Sequence, residues 1–180
     1  MKKIFLALFL TLIATPCFAE DFAVTSASWQ DGAMMERQYV FNSFGCTGEN
    51  TSPQVSWRNA PEGTKSFAVT VYDPDAPTGS GWWHWTIFNI PTDVSDLNEG
   101  ASASGALPAS AVQGKTDFGT AQYGGACPPS GDKPHRYILT VYALGIDKLD
   151  LTSDASGAMV GYYLNANALG KASLIVNYGR

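Results

Sequence analysis

The sequence predicts a single antiparallel β-sandwich with a short helix near its C-terminal end. Three observations lead there. Apolar residues come in short runs rich in Val, Tyr, Phe, Trp and Thr; Gly, Pro, Asn or Asp ends each run; and no repeat or linker divides the chain.

The first segment stands apart from that domain. Residues 1–19 join Lys2 and Lys3 to an apolar run from Ile4 to Ala14, then to Pro16 and the small residues Cys17 and Ala19. This is the pattern of a secretory signal peptide cut after Ala19. The run is too short to span a bilayer, and no other segment comes near that length, so no transmembrane segment is expected. Pro16 directly before Cys17 fits an acylated cysteine badly. Residues 20–180 then form one domain of 161 residues, enough for a single core. Loss of Lys2 and Lys3 takes the 11 Lys and Arg to 9, against 16 Asp and Glu, and the formal charge from −5 to −7. Such a surface repels nucleic acid and anionic bilayers, so a bound anion must be held locally by a few aimed donors.

Cys46 and Cys127 remain, and an even pair in an exported protein reads as one disulfide. It would close a loop of about 80 residues, worth about 4.5 kcal/mol on the chain-entropy account. The alternative is two free thiols or a metal pair, for which no CxxC spacing speaks.

Along the chain, residues 21–29, 37–42, 52–57, 66–73, 83–90 and 136–144 read as strands. The last three are apolar nearly throughout, as strands covered on both faces should be. Residues 102–114, small and Pro/Gly-containing, read as a long surface loop. A helix is expected within 152–171, capped by Thr152, Ser153 or Asp154 and stopped by Gly170. Ala155, Met159, Tyr163 and Ala166 share one face, so Met159 and Tyr163 should point to the core while the helix covers a sheet edge. Residues 173–179 then form a closing strand.

The chemistry concentrates in YDPDAPTGSGWWHWTIFNIP, residues 72–91, and in GGACPPSGDKP, residues 124–134. His84 and His135 are the only histidines, each at a strand start, whereas Asp73 and Asp75 end the strand before. Antiparallel pairing of 66–73 with 83–90 would bring Asp73, Asp75 and His84 to one rim. Pro74, Pro77, Pro128 and Pro129 stiffen the loops, and Gly124, Gly125 and Ala126 could offer backbone N–H groups. Two imidazoles donating in their neutral form, a few amides and a tyrosine hydroxyl suit a phosphate or carboxylate. The plain readings are a packed histidine at a strand start and an Asp-Pro turn. A hydrolase with a His-Asp dyad lacks an obvious nucleophile, because GSG at 79–81 is not a GxSxG frame and Cys127 is taken up in the disulfide. A two-His-plus-carboxylate metal site has no short ligand spacing to support it.

These two regions, the second extended to YGGACPPSGDKPHRYILTVYAL, resemble the signature regions of the phosphatidylethanolamine-binding protein family. FGCTGENTSPQVSW and the final NYGR resemble its bacterial, Raf kinase inhibitor-like branch, and the likeness runs from about Phe22 to Arg180. The resemblance implies a Greek-key β-sandwich with C-terminal helical elements and a small anion pocket at one end. Carried onto this chain, the pocket comprises Asp73, Asp75, Ala76, Pro77, His84, Gly125, Cys127, Pro128, His135 and Tyr137. Asp73 would orient a histidine ring rather than meet the anion. Ala126 stands where the family usually has proline. Cys46 and Cys127 should be neighbours in space, the disulfide anchoring a pocket wall. No cofactor and no metal is implied. The expected protein is a non-catalytic, periplasmic binding protein that takes a small anionic ligand or a protein partner, and the resemblance allows a homodimer. The alternatives are a protease inhibitor or a modulator of envelope or host proteins. Kinase inhibition does not carry over to a protein outside the cytosol.

Overall fold

The computed structural model describes residues 21–180; the expected signal peptide and its cleavage site lie outside the described residues. Two antiparallel sheets face each other. The smaller has the order β1-β2-β5, from Ala23–Thr25, Val55–Arg58 and Asp96–Leu97. The larger has the order β6-β4-β3-β7-β8, from Val112–Gln113, Trp82–Ile90, Ser66–Asp73, His135–Leu144 and Ala168–Tyr178. Within it β3, β4 and β6 lie side by side in chain order, and β7 returns beside β3, which is the Greek-key arrangement.

The cores follow from burial on both faces of β3, β4 and β7. Between the sheets lie Val55, Trp57, Val69, Val71, Trp85, Ile87, Leu139 and Val141. On the opposite face of the large sheet, Ala68, Phe88, Tyr142 and Leu144 pack with Leu149 and with Val160 and Leu164 of the helix α2, Gly157–Asn167. That second layer is why these three strands carry no polar alternation.

Four expectations need correction. Residues 37–42 are not a strand: Arg37–Tyr39 form a 3₁₀ turn, and only Val40 bridges to Ala126. Residues 102–114 are more than a surface loop. They hold most of the short helix α1, Ala101–Ser104, and β6, because the buried Ser102 hydroxyl donates to Gln113 Oε1 at 2.6 Å and accepts from Tyr123 N–H at 2.8 Å. The helix α2 starts later, with Ser156 as its cap, and turns a different face inward: Gly157, Val160, Gly161 and Leu164 are buried while Met159 and Tyr163 are exposed. It lies on the sheet face rather than an edge, because Gly157 and Gly161 form a notch over Trp83. Finally, α2 ends at Asn167, where pairing of Ala168 with Leu144 begins; Gly170 belongs to β8, its bare Cα passing close to Pro61.

Candidate functional site

The site lies where β3 ends and β4 and β7 begin. Asp73 pairs with Trp82, and Tyr72 pairs with both Trp83 and Ile138, so Asp73, His84 and His135 are drawn to one rim. A bulge decides how His84 points. Val71 pairs with Trp85 and Tyr72 with Trp83, which leaves His84 as the extra residue. Trp85 can therefore enter the inter-sheet core and Trp83 the opposite layer under α2, although they are two apart. Bulges re-aim side chains in this way.

A cavity of about 210 Å³ opens at this rim, with Asp73, Ala76, Pro77, His84, Cys127, Pro128, His135 and Tyr137 among its lining residues. Asp73 is buried and serves as a hub. Its Oδ2 accepts from His135 Nδ1 at 2.8 Å, and its Oδ1 accepts the N–H groups of Asp75 and Ala76 at 2.8 and 3.1 Å. The DPDAP turn and the histidine are thus oriented by one carboxylate. His84, also buried, donates Nδ1–H to the Gly124 carbonyl at 2.7 Å, and its ring meets Phe118 and Tyr137 edge-on. Burial holds its imidazole below the ordinary value, against the pull of the Gly124 carbonyl and the Asp73 charge. Burial likewise pushes the Tyr137 phenol up, so it stays a donor.

Two buried donors on residues that line the cavity lack a well-formed partner: the Trp82 indole N–H and the Tyr137 hydroxyl, the latter near enough to the Asp73 carboxylate for it to help raise the phenol, but not at good hydrogen-bonding geometry. Buried polar atoms are normally satisfied; among the described residues, three further orphaned donors, Trp29 Nε1, Trp57 Nε1 and the Thr86 hydroxyl, lie outside the cavity lining.

Two expected residues fall outside the cavity. Asp75 turns outward and pairs with Arg136, accepting from Nε at 2.9 Å, from Nη2 at 2.7 Å and from the backbone N–H at 2.9 Å. These bonds hold its carboxyl at about 2. Gly125 faces the scaffold: its N–H donates to Asn50 Oδ1 at 2.7 Å, and a Cβ there would stand 2.2 Å from the Tyr39 carbonyl. The Gly124 N–H is also spent, on the His84 carbonyl at 2.9 Å. Both glycines serve close packing rather than ligand donation; a Cβ at Gly124 would stand 2.2 Å from the Phe118 ring.

Sequence reasoning missed Phe44, Thr78, Trp82 and Phe118 as lining residues. Trp82 and Thr78 lay inside the quoted stretch, but Phe44 and Phe118 arrive from distant loops, and only the fold brings their rings 5.8 Å apart. Phe44 sits beside Cys46, whose disulfide to Cys127 ties the Phe44 loop to the wall formed by Cys127, Pro128 and Pro129. The expected disulfide is present. Among the described residues, no cluster of three His, Cys, Asp or Glu side chains is arranged to hold a metal ion, and no helix is long and apolar enough to cross a membrane.

The chain is thus a Greek-key sandwich with a rim cavity lined by an Asp–His pair and a second histidine. The sequence pattern of the phosphatidylethanolamine-binding protein family matches residues 25–179, and the chain belongs to that family. It is 51% identical to the UPF0098 protein YbcL of Escherichia coli K12 over 180 residues, 99% of this chain and 98% of that one. It is 49% identical to YbhB of the same strain over 146 residues, 81% of this chain and 92% of that one. The crystal structure of E. coli YbcL superimposes with a TM-score of 0.87 at 53% identity, covering 89% of this chain and 99% of that one. The Chlamydia trachomatis homologue CT736 follows with a TM-score of 0.72 at 29% identity, covering 88% and 97%.

Proposed function

We propose that this protein is an exported, non-catalytic binding protein whose rim cavity takes a small oxyanion, a phosphate or carboxylate head group. The single observation that carries the reading is the pair of orphaned donors, Tyr137 Oη–H and Trp82 Nε1–H, on the wall shared by His84 and His135. The aromatic mouth of Phe44, Trp82 and Phe118 would shield these contacts from water, and the Pro-stiffened loops limit the ordering cost of binding.

Binding is favoured over hydrolysis by what surrounds the Asp73–His135 dyad. Cys127 is tied in the disulfide, and the Thr78 hydroxyl is engaged with the Gly81 carbonyl, so neither stands ready as a nucleophile. Export is supported by the N-terminal pattern and the Cys46–Cys127 disulfide, which suits an oxidising compartment such as the periplasm.

The test is an NMR titration of both imidazole rings with inorganic phosphate and with O-phosphorylethanolamine. Saturable shifts of both rings are expected, and Tyr137→Phe should weaken binding about 5- to 10-fold, one hydrogen bond's share. Rings that fail to respond, or that respond to sites independent of each other, would end the pocket reading and turn attention to a protein partner.

A further inference from the structure

We infer that the cavity takes its oxyanion together with a proton, and therefore selects phosphate over sulfate at neutral pH; this rests on the pocket reading above. The reason is where the two histidines spend their protons. His84 Nδ1 faces a backbone carbonyl at 2.7 Å and His135 Nδ1 faces a carboxylate oxygen at 2.8 Å. A carbonyl oxygen can only accept, so Nδ1 of His84 carries the hydrogen. Asp73 Oδ1 already accepts two N–H groups, and its Oδ2 takes the Nδ1–H of His135. Burial keeps the His84 ring neutral, and a neutral imidazole has one N–H, so Nε2 of His84 is left as a lone pair. Both rings line the cavity; no hydrogen bond within the protein engages Nε2 of His84, whereas Nε2 of His135 faces Asp132 Oδ2 at 3.6 Å.

The charges around these rings do not favour a bare dianion. Asp73 faces them from β3, Asp132 from the loop before β7, and Asp117 acts on His84 from the loop after β6. Asp75 acts on His135 from outside, and its partner Arg136 is held by it. Arg180 is spent on the carbonyls of Pro128 and Gly45 behind the wall. The uncharged Tyr137 hydroxyl and Trp82 indole are the donors left for the anion.

A fully ionised oxyanion would thus meet donors on one side and the His84 lone pair on the other. Hydrogenphosphate resolves the conflict, since its O–H can donate to His84 Nε2 while its other oxygens accept from Tyr137 and Trp82. Sulfate has no proton at neutral pH and must wait for an imidazole to take one from solvent. A site built for a donor rejects the analogue that lacks it, because a polar group is left unpaired.

The test is calorimetric titration of the oxidised protein with sodium phosphate and sodium sulfate at pH 7.5 and 5.5, each in two buffers of different ionisation heat. Phosphate should bind at least about tenfold more tightly at pH 7.5. Sulfate should gain on it at pH 5.5, binding with uptake of about one proton from the buffer. Equal affinities at pH 7.5, or sulfate binding without proton uptake, would overturn the inference and leave the pocket reading standing. Failure of both anions to bind at either pH would overturn both.

Discussion

Asp73 and Asp75 are two residues apart in an acidic turn, and their fates differ completely. Asp73 is buried and holds His135 and two backbone amides, whereas Asp75 faces solvent and holds Arg136. Asp75→Asn should therefore leave phosphate affinity unchanged, while Asp73→Ala, which removes the acceptor of the His135 ring and of two backbone amides, should weaken it strongly. The Asp75 pair is solvent-exposed and screened, so its loss should cost little stability at neutral pH. Its carboxyl sits below the usual range, so that contribution is present above about pH 4 and fades as pH falls towards 2. His84 shifts stability at higher pH. Its folded value lies below 6.5, so between the two values the unfolded chain binds a proton that the folded chain refuses. Stability from this group is full above pH 6.5 and lost as pH falls, at up to about 1.4 kcal/mol per unit. Urea midpoints measured from pH 7 to 5 should fall less steeply in His84→Phe than in the parent.

At the level of elements, the helix α2 is held by what it lacks. A Cβ at Gly157 would stand 2.2 Å from Trp83 Cγ, and one at Gly161 would stand 3.0 Å from the same indole. Gly157→Ala should raise helix propensity by up to about 1 kcal/mol and still destabilise the protein, since overpacking costs about 1–3 kcal/mol. Thermal melting of the variant checks this, and a higher midpoint would contradict the notch. The same notch explains the misread face: Met159 and Tyr163 have the bulk expected of a core stripe, but the indole of Trp83 already fills the space that they would need. Strands β3, β4 and β7 were legible because both faces are buried and the apolar run is unbroken. The stretch 37–42 has strand-like residues and no strand to pair with beyond the bridge to Ala126.

For the whole molecule, the Cys46–Cys127 bond spans 81 residues and joins the Phe44 loop to the cavity wall. Replacing both cysteines by serine should cost about 2–4 kcal/mol and lower the denaturation midpoint. It should also weaken phosphate binding, because Phe44 and the Cys127–Pro129 wall would no longer be fixed to one another; calorimetry on the folded variant separates the two effects. The sequence by itself determined the sandwich class, the three central strands, the disulfide and a rim bearing Asp73 and His84, because each rests on local periodicity, pairing or cysteine count, whereas His135 was brought to that rim only by the family resemblance. Only the tertiary structure decided that Asp75 and Gly125 leave the cavity, that Phe44 and Phe118 join it, and that both imidazoles turn Nδ1 away from it. Those outcomes depend on which carbonyl, guanidinium or ring arrives from elsewhere in the chain, and on the bulge at His84 that aims its ring.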